Sequence, residues 1–137
     1  VDTMKFAVNF EEVKDSGNRE EFSTGSRRDI RHGKGRFDLM SPFVLERDAR
    51  HLENGARKYG DRNWEKGQPL SRYYDSAVRH LNKFMMGHSD EDHLAAARWN
   101  IAALMHTQHM IEVGMLPPEL YDLPNFNPNR RFEGNEA

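Results

Sequence analysis

The chain has 137 residues, 36% of them hydrophobic and 31% charged, which suits one folded domain with a modest core and much wet surface. Lys and Arg number 20 against 22 Asp and Glu, a formal charge of -2 that excludes broad binding of nucleic-acid polymers through their phosphate backbone. With no cysteine, disulfides, thiolate nucleophiles and Cys-ligated zinc are excluded; no long apolar run or secretory pattern occurs, so a soluble, cytoplasmic protein without a membrane partner is expected.

Residues 1–24 begin with the alternation Phe6, Val8, Phe10 and then turn polar, which predicts an N-terminal arm with one strand or a partner-bound segment. Residues 25–38 hold Arg27, Arg28, Arg31, Lys34 and Arg36 among three glycines and predict a loop, either anion-binding or simply solvated. It is not a P-loop, because Gly35 rather than Ser or Thr follows Lys34.

The first helix is predicted from Ser41, a capping residue, and Pro42, which suits a first helical position, through Leu45, Ala49, Leu52, Ala56 and Tyr59 to Gly60. A second follows Ser71, with Tyr74, Ala77, Val78, Leu81, Phe84 and Met85 on its apolar face and Gly87 at its end. The third is expected from Ser89 and Asp92, at capping-box spacing, through Leu94, Ala97, Ile101, Leu104, Met105 and Ile111 to Gly114, about 25 residues. One further turn is predicted after Pro117, within a C-terminal tail spanning 117–137. No βαβ rhythm or long repeat is present, so the class is all-α. Three amphipathic helices bury their stripes best by adding another helix, and a homo-oligomer is the expected way to complete the bundle.

Charged, amide and aromatic groups crowd around the turn between the first two helices. Lys58 and Arg62 offer phosphate donors, Asn63 an amide for a base edge, and Trp64 either a stacking face or a core anchor. Asp75 and Arg79, four apart on the second helix, read equally as a surface ion pair. His80 flanks the apolar face as a candidate base or a core-edge histidine. On the third helix His93 and Asn100 lie seven apart beside alanines, which suits a cavity as well as close helix packing. Asp90, Glu91 and Asp92 offer oxygen ligands for Mg²⁺, though acids at a helix start are favoured anyway by its dipole. Glu46 and Glu53 share a face of the first helix, each with an arginine four residues on.

The blocks "GKGRFDLMSP", "GARKYGDRNWEKG", "SRYYDSAVRHL" and "DEDHLAAARWN" together resemble the phage and bacterial dATP/dGTP diphosphohydrolase N-terminal domain family, relatives of the MazG-like all-α NTP pyrophosphohydrolases. The likeness covers roughly residues 25–116 and leaves both arms outside. It implies a MazG-like helical bundle, usually oligomeric, that splits a purine deoxynucleoside triphosphate between its α and β phosphates with Mg²⁺, or Mn²⁺ in its place. The matching positions are Lys34, Arg36, Lys58, Tyr59, Asn63, Trp64, Arg79, His80, His93 and Asn100, with Arg62 beside them. The expected roles are substrate binding for Lys34, Arg36, Lys58, Tyr59, Arg62, Asn63, Trp64 and Asn100, and catalysis for Arg79, His80 and His93. The sequence departs from the MazG-like pattern in lacking its ExxE and ExxD pairs at the expected places. Glu53, Asp75, Glu91 and Asp92 are the acids placed to substitute as metal ligands. The alternative is a non-catalytic protein that sequesters a nucleotide in the same pocket. For a phage-encoded chain, the location would be the cytoplasm of the bacterial host.

Overall fold

A computed structural model describes residues 13–127. The Phe6, Val8, Phe10 alternation and the tail beyond Asn127 lie outside the described residues. The chain divides between Met40 and Ser41 into two units.

The first unit contains an antiparallel hairpin of β1 (Arg19–Glu21) and β2 (Arg27–Asp29), in register Arg19 to Asp29, Glu20 to Arg28 and Glu21 to Arg27. Every cross-strand pair sets an acid opposite a base, so charge matching rather than an apolar face holds the register. Gly25, at φ +84, donates its N–H to the Phe22 carbonyl and closes the turn. The sequence predicted one strand or a partner-bound segment within residues 1–24 and a loop over 25–38, so β2 corrects the second of these readings. Apolar alternation is missing because both strands are exposed, Asp29 alone being half-buried.

The second unit is all-α: α1 (Pro42–Tyr59), α2 (Leu70–Met85) and α3 (His93–Glu112), with short 3-10 turns at Asn63–Lys66 and Pro118–Leu120. Ser41 caps α1 by accepting the Val44 N–H, and Pro42 takes the first helical position. α3 starts later than predicted. Asp92 is itself the cap, accepting the Ala95 N–H at 3.0 Å, so Ser89 is left in the preceding loop. Pro69 precedes α2 and has no polar side chain to cap it. Asp122 supplies that bond instead, accepting the Ser71 N–H at 2.9 Å.

The core joins Leu70 and Tyr73 of α2 to Ala103 and Ile111 of α3 and to Tyr121, with Trp64, Trp99, Leu104, Leu116, Leu120 and Leu123 packed around it. Residues up to Leu123 of the expected tail therefore belong to this core. On α2 the buried line is Leu70, Tyr73 and Ala77, while Tyr74, Val78, Leu81, Phe84 and Met85 are exposed. On α3 the buried residues include Ala96, Ala97, Asn100, Ala103 and Thr107, and Ile101 and Met105 are exposed. Small residues let α2 and α3 approach closely, so the closest packing takes the narrow faces rather than the bulkiest stripes. α1 buries no residue. It is fastened to the start of α3 and beyond by Arg47 on Asp92 and Arg98 on Asp48, and by His51 against Trp99 at 5.6 Å. No helix among the described residues is long and apolar enough to cross a membrane.

Candidate functional site

A cavity of about 1050 Å³ opens in the helical unit, within reach of a nucleotide-sized ligand. From α1 it receives His51, Gly55 and Lys58, spaced four and three residues apart and so on one helical face. A side chain at Gly55 would meet nothing within 4 Å, so this wall is open space. α2 contributes Arg72, Asp75, Ser76, Arg79 and His80, while Ala96, Trp99 and Asn100 come from α3.

The loop between α1 and α2 supplies Asp61, Arg62, Asn63 and Trp64. Arg62 adopts the left-handed conformation at φ 59 as the turn begins, and its guanidinium reaches Glu65 at 2.6 Å. Gly67 ends the turn at φ +97. A Cβ there would lie 2.9 Å from Leu120 Cδ1 and 3.2 Å from Leu116, so the C-terminal segment packs directly on this backbone. The result fixes Trp64, which meets Trp99 edge-on at 6.4 Å and His106 at 4.9 Å. Trp64 thus serves the core and lines the cavity at once.

At the α2–α3 side, His80 Nδ1 lies 2.9 Å from His93 Nδ1, and His93 Nε2 lies 2.8 Å from Asp90 Oδ1. Glu91 Oε1 is 3.8 Å from His80 Nδ1. Burial is the main reason that the His80 pKa lies below the ordinary histidine value, with the Glu91 carboxylate opposing it. The hydrogen bond from His93 chiefly holds Asp90 below the usual carboxylate range. Asp92 is held down to about 2, first by the Arg47 guanidinium.

Of the residues expected at a site, Lys58, Tyr59, Arg62, Asn63, Trp64, Asp75, Arg79, His80, Glu91 and Asn100 line this one cavity. Asn100 is buried and donates to the Ala96 carbonyl at 2.8 Å. Lys58 sits over the Tyr59 ring at 5.1 Å, and Arg79 pairs with Asp75 at 2.8 Å. His93 lies behind His80 rather than in the lining. Lys34 and Arg36 belong to the other unit, where they pair with Asp29 at 3.1 Å and Asp38 at 2.8 Å.

Among the acids expected to hold metal, Asp75 and Glu91 line the cavity, whereas Glu53 and Asp92 are outside its lining. Asp92 spends its oxygens on Arg47 and the α3 cap. Two carboxylates suit Mg²⁺ when phosphate oxygens and water complete its shell. Sequence reasoning did not select His51, Trp99 or Arg72 as site residues. For His51 a signal existed: it stands seven residues before Lys58, as His93 does before Asn100.

A family model described as dATP/dGTP diphosphohydrolase, N-terminal, matches residues 24–113. No curated protein and no solved structure matches the chain. The match begins at the hairpin turn and includes every residue of the cavity wall, well over half of the chain. The protein belongs to the dATP/dGTP diphosphohydrolase N-terminal family.

Proposed function

We propose that the chain hydrolyses purine deoxynucleoside triphosphates, dATP and dGTP, to the monophosphate and pyrophosphate. One observation carries this reading: Lys58 and Arg72 line the same cavity as Trp64, Trp99, Asn63 and Asn100, and neither cation has an ion-pair partner among the described residues. Unpaired cations beside aromatic and amide groups suit a ligand that has phosphates at one end and a base at the other.

Water attacks the α phosphorus, the bond from that phosphorus to the oxygen bridging toward the β phosphate breaks, and pyrophosphate departs with the electron pair. Lys58, Arg72 and Arg79 offset the charge that gathers on the phosphate oxygens. His80, kept neutral near pH 7 by burial, takes the proton of the water, and His93 positions its ring from behind. Trp64 and Trp99 flank the base, and Asn63 meets its edge. Mg²⁺ would be held by Asp75 and Glu91 and would supply charge neutralisation at the phosphates.

Incubation with dATP or dGTP and Mg²⁺, followed by detection of pyrophosphate, tests the proposal. The expected products are equimolar monophosphate and pyrophosphate, and His80→Ala lowers kcat by about 10²–10⁴-fold. A second reading, nucleotide sequestration, draws on the pairing of Arg62 with Glu65 and Arg79 with Asp75, which leaves fewer charges free for a transition state. Nucleotide recovered intact and stoichiometric after denaturation would establish it in place of hydrolysis.

A further inference from the structure

His93 is enclosed, with 1% of its side chain exposed, and both of its ring nitrogens are engaged. With Nε2–H directed at the Asp90 carboxylate 2.8 Å away, as in a carboxylate–histidine–metal arrangement, His93 Nδ1 presents a lone pair. That lone pair faces His80 Nδ1 at 2.9 Å. Glu91 completes the group: its Oε1 is 3.8 Å from His80 Nδ1, and His80, Glu91 and His93 each offer one ligand atom within 4.8 Å of the others.

Two imidazole nitrogens and one carboxylate oxygen, with a second carboxylate holding the far side of one imidazole, form the donor set of a borderline divalent transition metal. Mg²⁺ is served poorly by nitrogen. Metal–nitrogen bonds of about 2.0–2.1 Å at a tetrahedral angle separate two nitrogens by about 3.3 Å, so admitting an ion requires the nitrogens to part by about 0.4 Å, both rings to turn until their lone pairs converge, and the proton between them to leave. His80 comes from α2, His93 is the first residue of α3, and Glu91 lies in the loop just before the Asp92 cap.

We propose that His80, Glu91 and His93 form a binding site for a divalent transition metal of the Zn²⁺ or Co²⁺ type, with Asp90 as the carboxylate that orients His93. Three protein ligands leave a coordination position open, and since His80 and Glu91 line the cavity, that position is accessible from it. The neighbouring set of His88, Asp90 and His93 is the rival arrangement. It would use the two exposed side chains His88 and Asp90 and would require Asp90 to give up the His93 hydrogen bond. The site rests on its donors alone and does not depend on hydrolysis of a nucleotide; an occupied site makes His80 and Glu91 ligands in place of the base and Mg²⁺-holding roles given to them above, and the metal titration separates the two.

The test uses the full chain, stripped of metal with a chelator and titrated with Co²⁺ while visible absorption is followed, then challenged with Zn²⁺ or Mg²⁺. One Co²⁺ per chain is expected, displaced by Zn²⁺ and retained against the same concentration of Mg²⁺. His80→Gln and Glu91→Gln should abolish saturable binding, Asp90→Asn should weaken it about 10–100-fold, and His88→Gln should leave it intact. Circular dichroism of each variant shows that the fold survives. Glu91, half exposed, is the variant least able to disturb packing. Absence of saturable Co²⁺ binding by the wild type, or wild-type affinity in folded Glu91→Gln, overturns the proposal. Loss of binding in His88→Gln with retention in His80→Gln overturns it in favour of the outer set.

Discussion

The two faces of α2 differ in a way that reverses the simplest rule of burial. Its inner face, Leu70, Tyr73 and Ala77, is narrow and continues at the same spacing to half-buried His80. Its outer face, Tyr74, Val78, Leu81 and Met85, carries more apolar bulk and stands 46–82% exposed. A helix can therefore pack through its smaller stripe when that stripe fits the alanines of its neighbour, leaving the stronger stripe for another surface. In this protein the smaller stripe also delivers a histidine to the cavity.

The largest test of this contrast is Tyr73→Ala, which empties the centre of the inner face. A loss of about 3–5 kcal/mol in urea unfolding is expected, as for other buried aromatics cut to alanine. A loss no larger than that of an exposed position would show that the inner face is not the core.

Gly67→Ala asks whether the C-terminal cover over the start of α2 is tight. The added methyl would meet Leu120 at a positive φ, and a loss of about 1–3 kcal/mol follows from crowding and backbone strain. Thermal unfolding that matches the wild type would mean that the cover yields freely.

Charge can be separated from both faces with Asp92→Asn, because Asn caps a helix about as well as Asp and only the attraction to Arg47 is lost. The Arg47 guanidinium holds the folded carboxyl at about 2, below the ordinary aspartate value of about 3.9. Its contribution is thus full above about pH 4 and disappears as pH falls through about 2. With both partners about half exposed, the wild type should exceed the variant by less than ~1 kcal/mol at pH 7. Urea curves that still differ by as much at pH 2 would contradict this.

Leu81→Ser should have the smallest effect, within about 0.5 kcal/mol for a dilute monomer. Should it instead match Tyr73→Ala and split an assembly seen by light scattering, a second copy covers the outer face. That outcome would supply the oligomer expected from the exposed stripes.

Much of this architecture is legible in the chain. Ser41 with Pro42 marks the start of α1, and Gly60 marks its end, because capping chemistry is local. The start of α3 was misplaced by the Ser89–Asp92 spacing, since a sequence cannot show which of two good caps receives the N–H. Buried faces were legible only in part: apolar counting selects the widest stripe, whereas packing selects the best fit. Hairpin pairing was hidden for a related reason, its register being set by opposite charges rather than by alternation.

For the cavity, Lys58 to Trp64 stood out because unusual side chains crowd one turn. His51, Arg72 and Trp99 did not, being single residues of three different helices whose meeting depends on tertiary packing. The histidine cluster was half visible. His80 and His93 could each be chosen by type, but no spacing rule places nitrogens of separate helices 2.9 Å apart.

The mode of attachment of α1 has a mechanical consequence. This helix carries one whole wall of the cavity, yet it contributes no buried residue, and two exposed bridges, Arg47 to Asp92 and Arg98 to Asp48, tie it to its neighbour. Dissolved electrolyte weakens such ties while leaving the α2–α3 seam untouched. Raised salt is therefore expected to loosen the α1 wall of the pocket before it disturbs the other two helices.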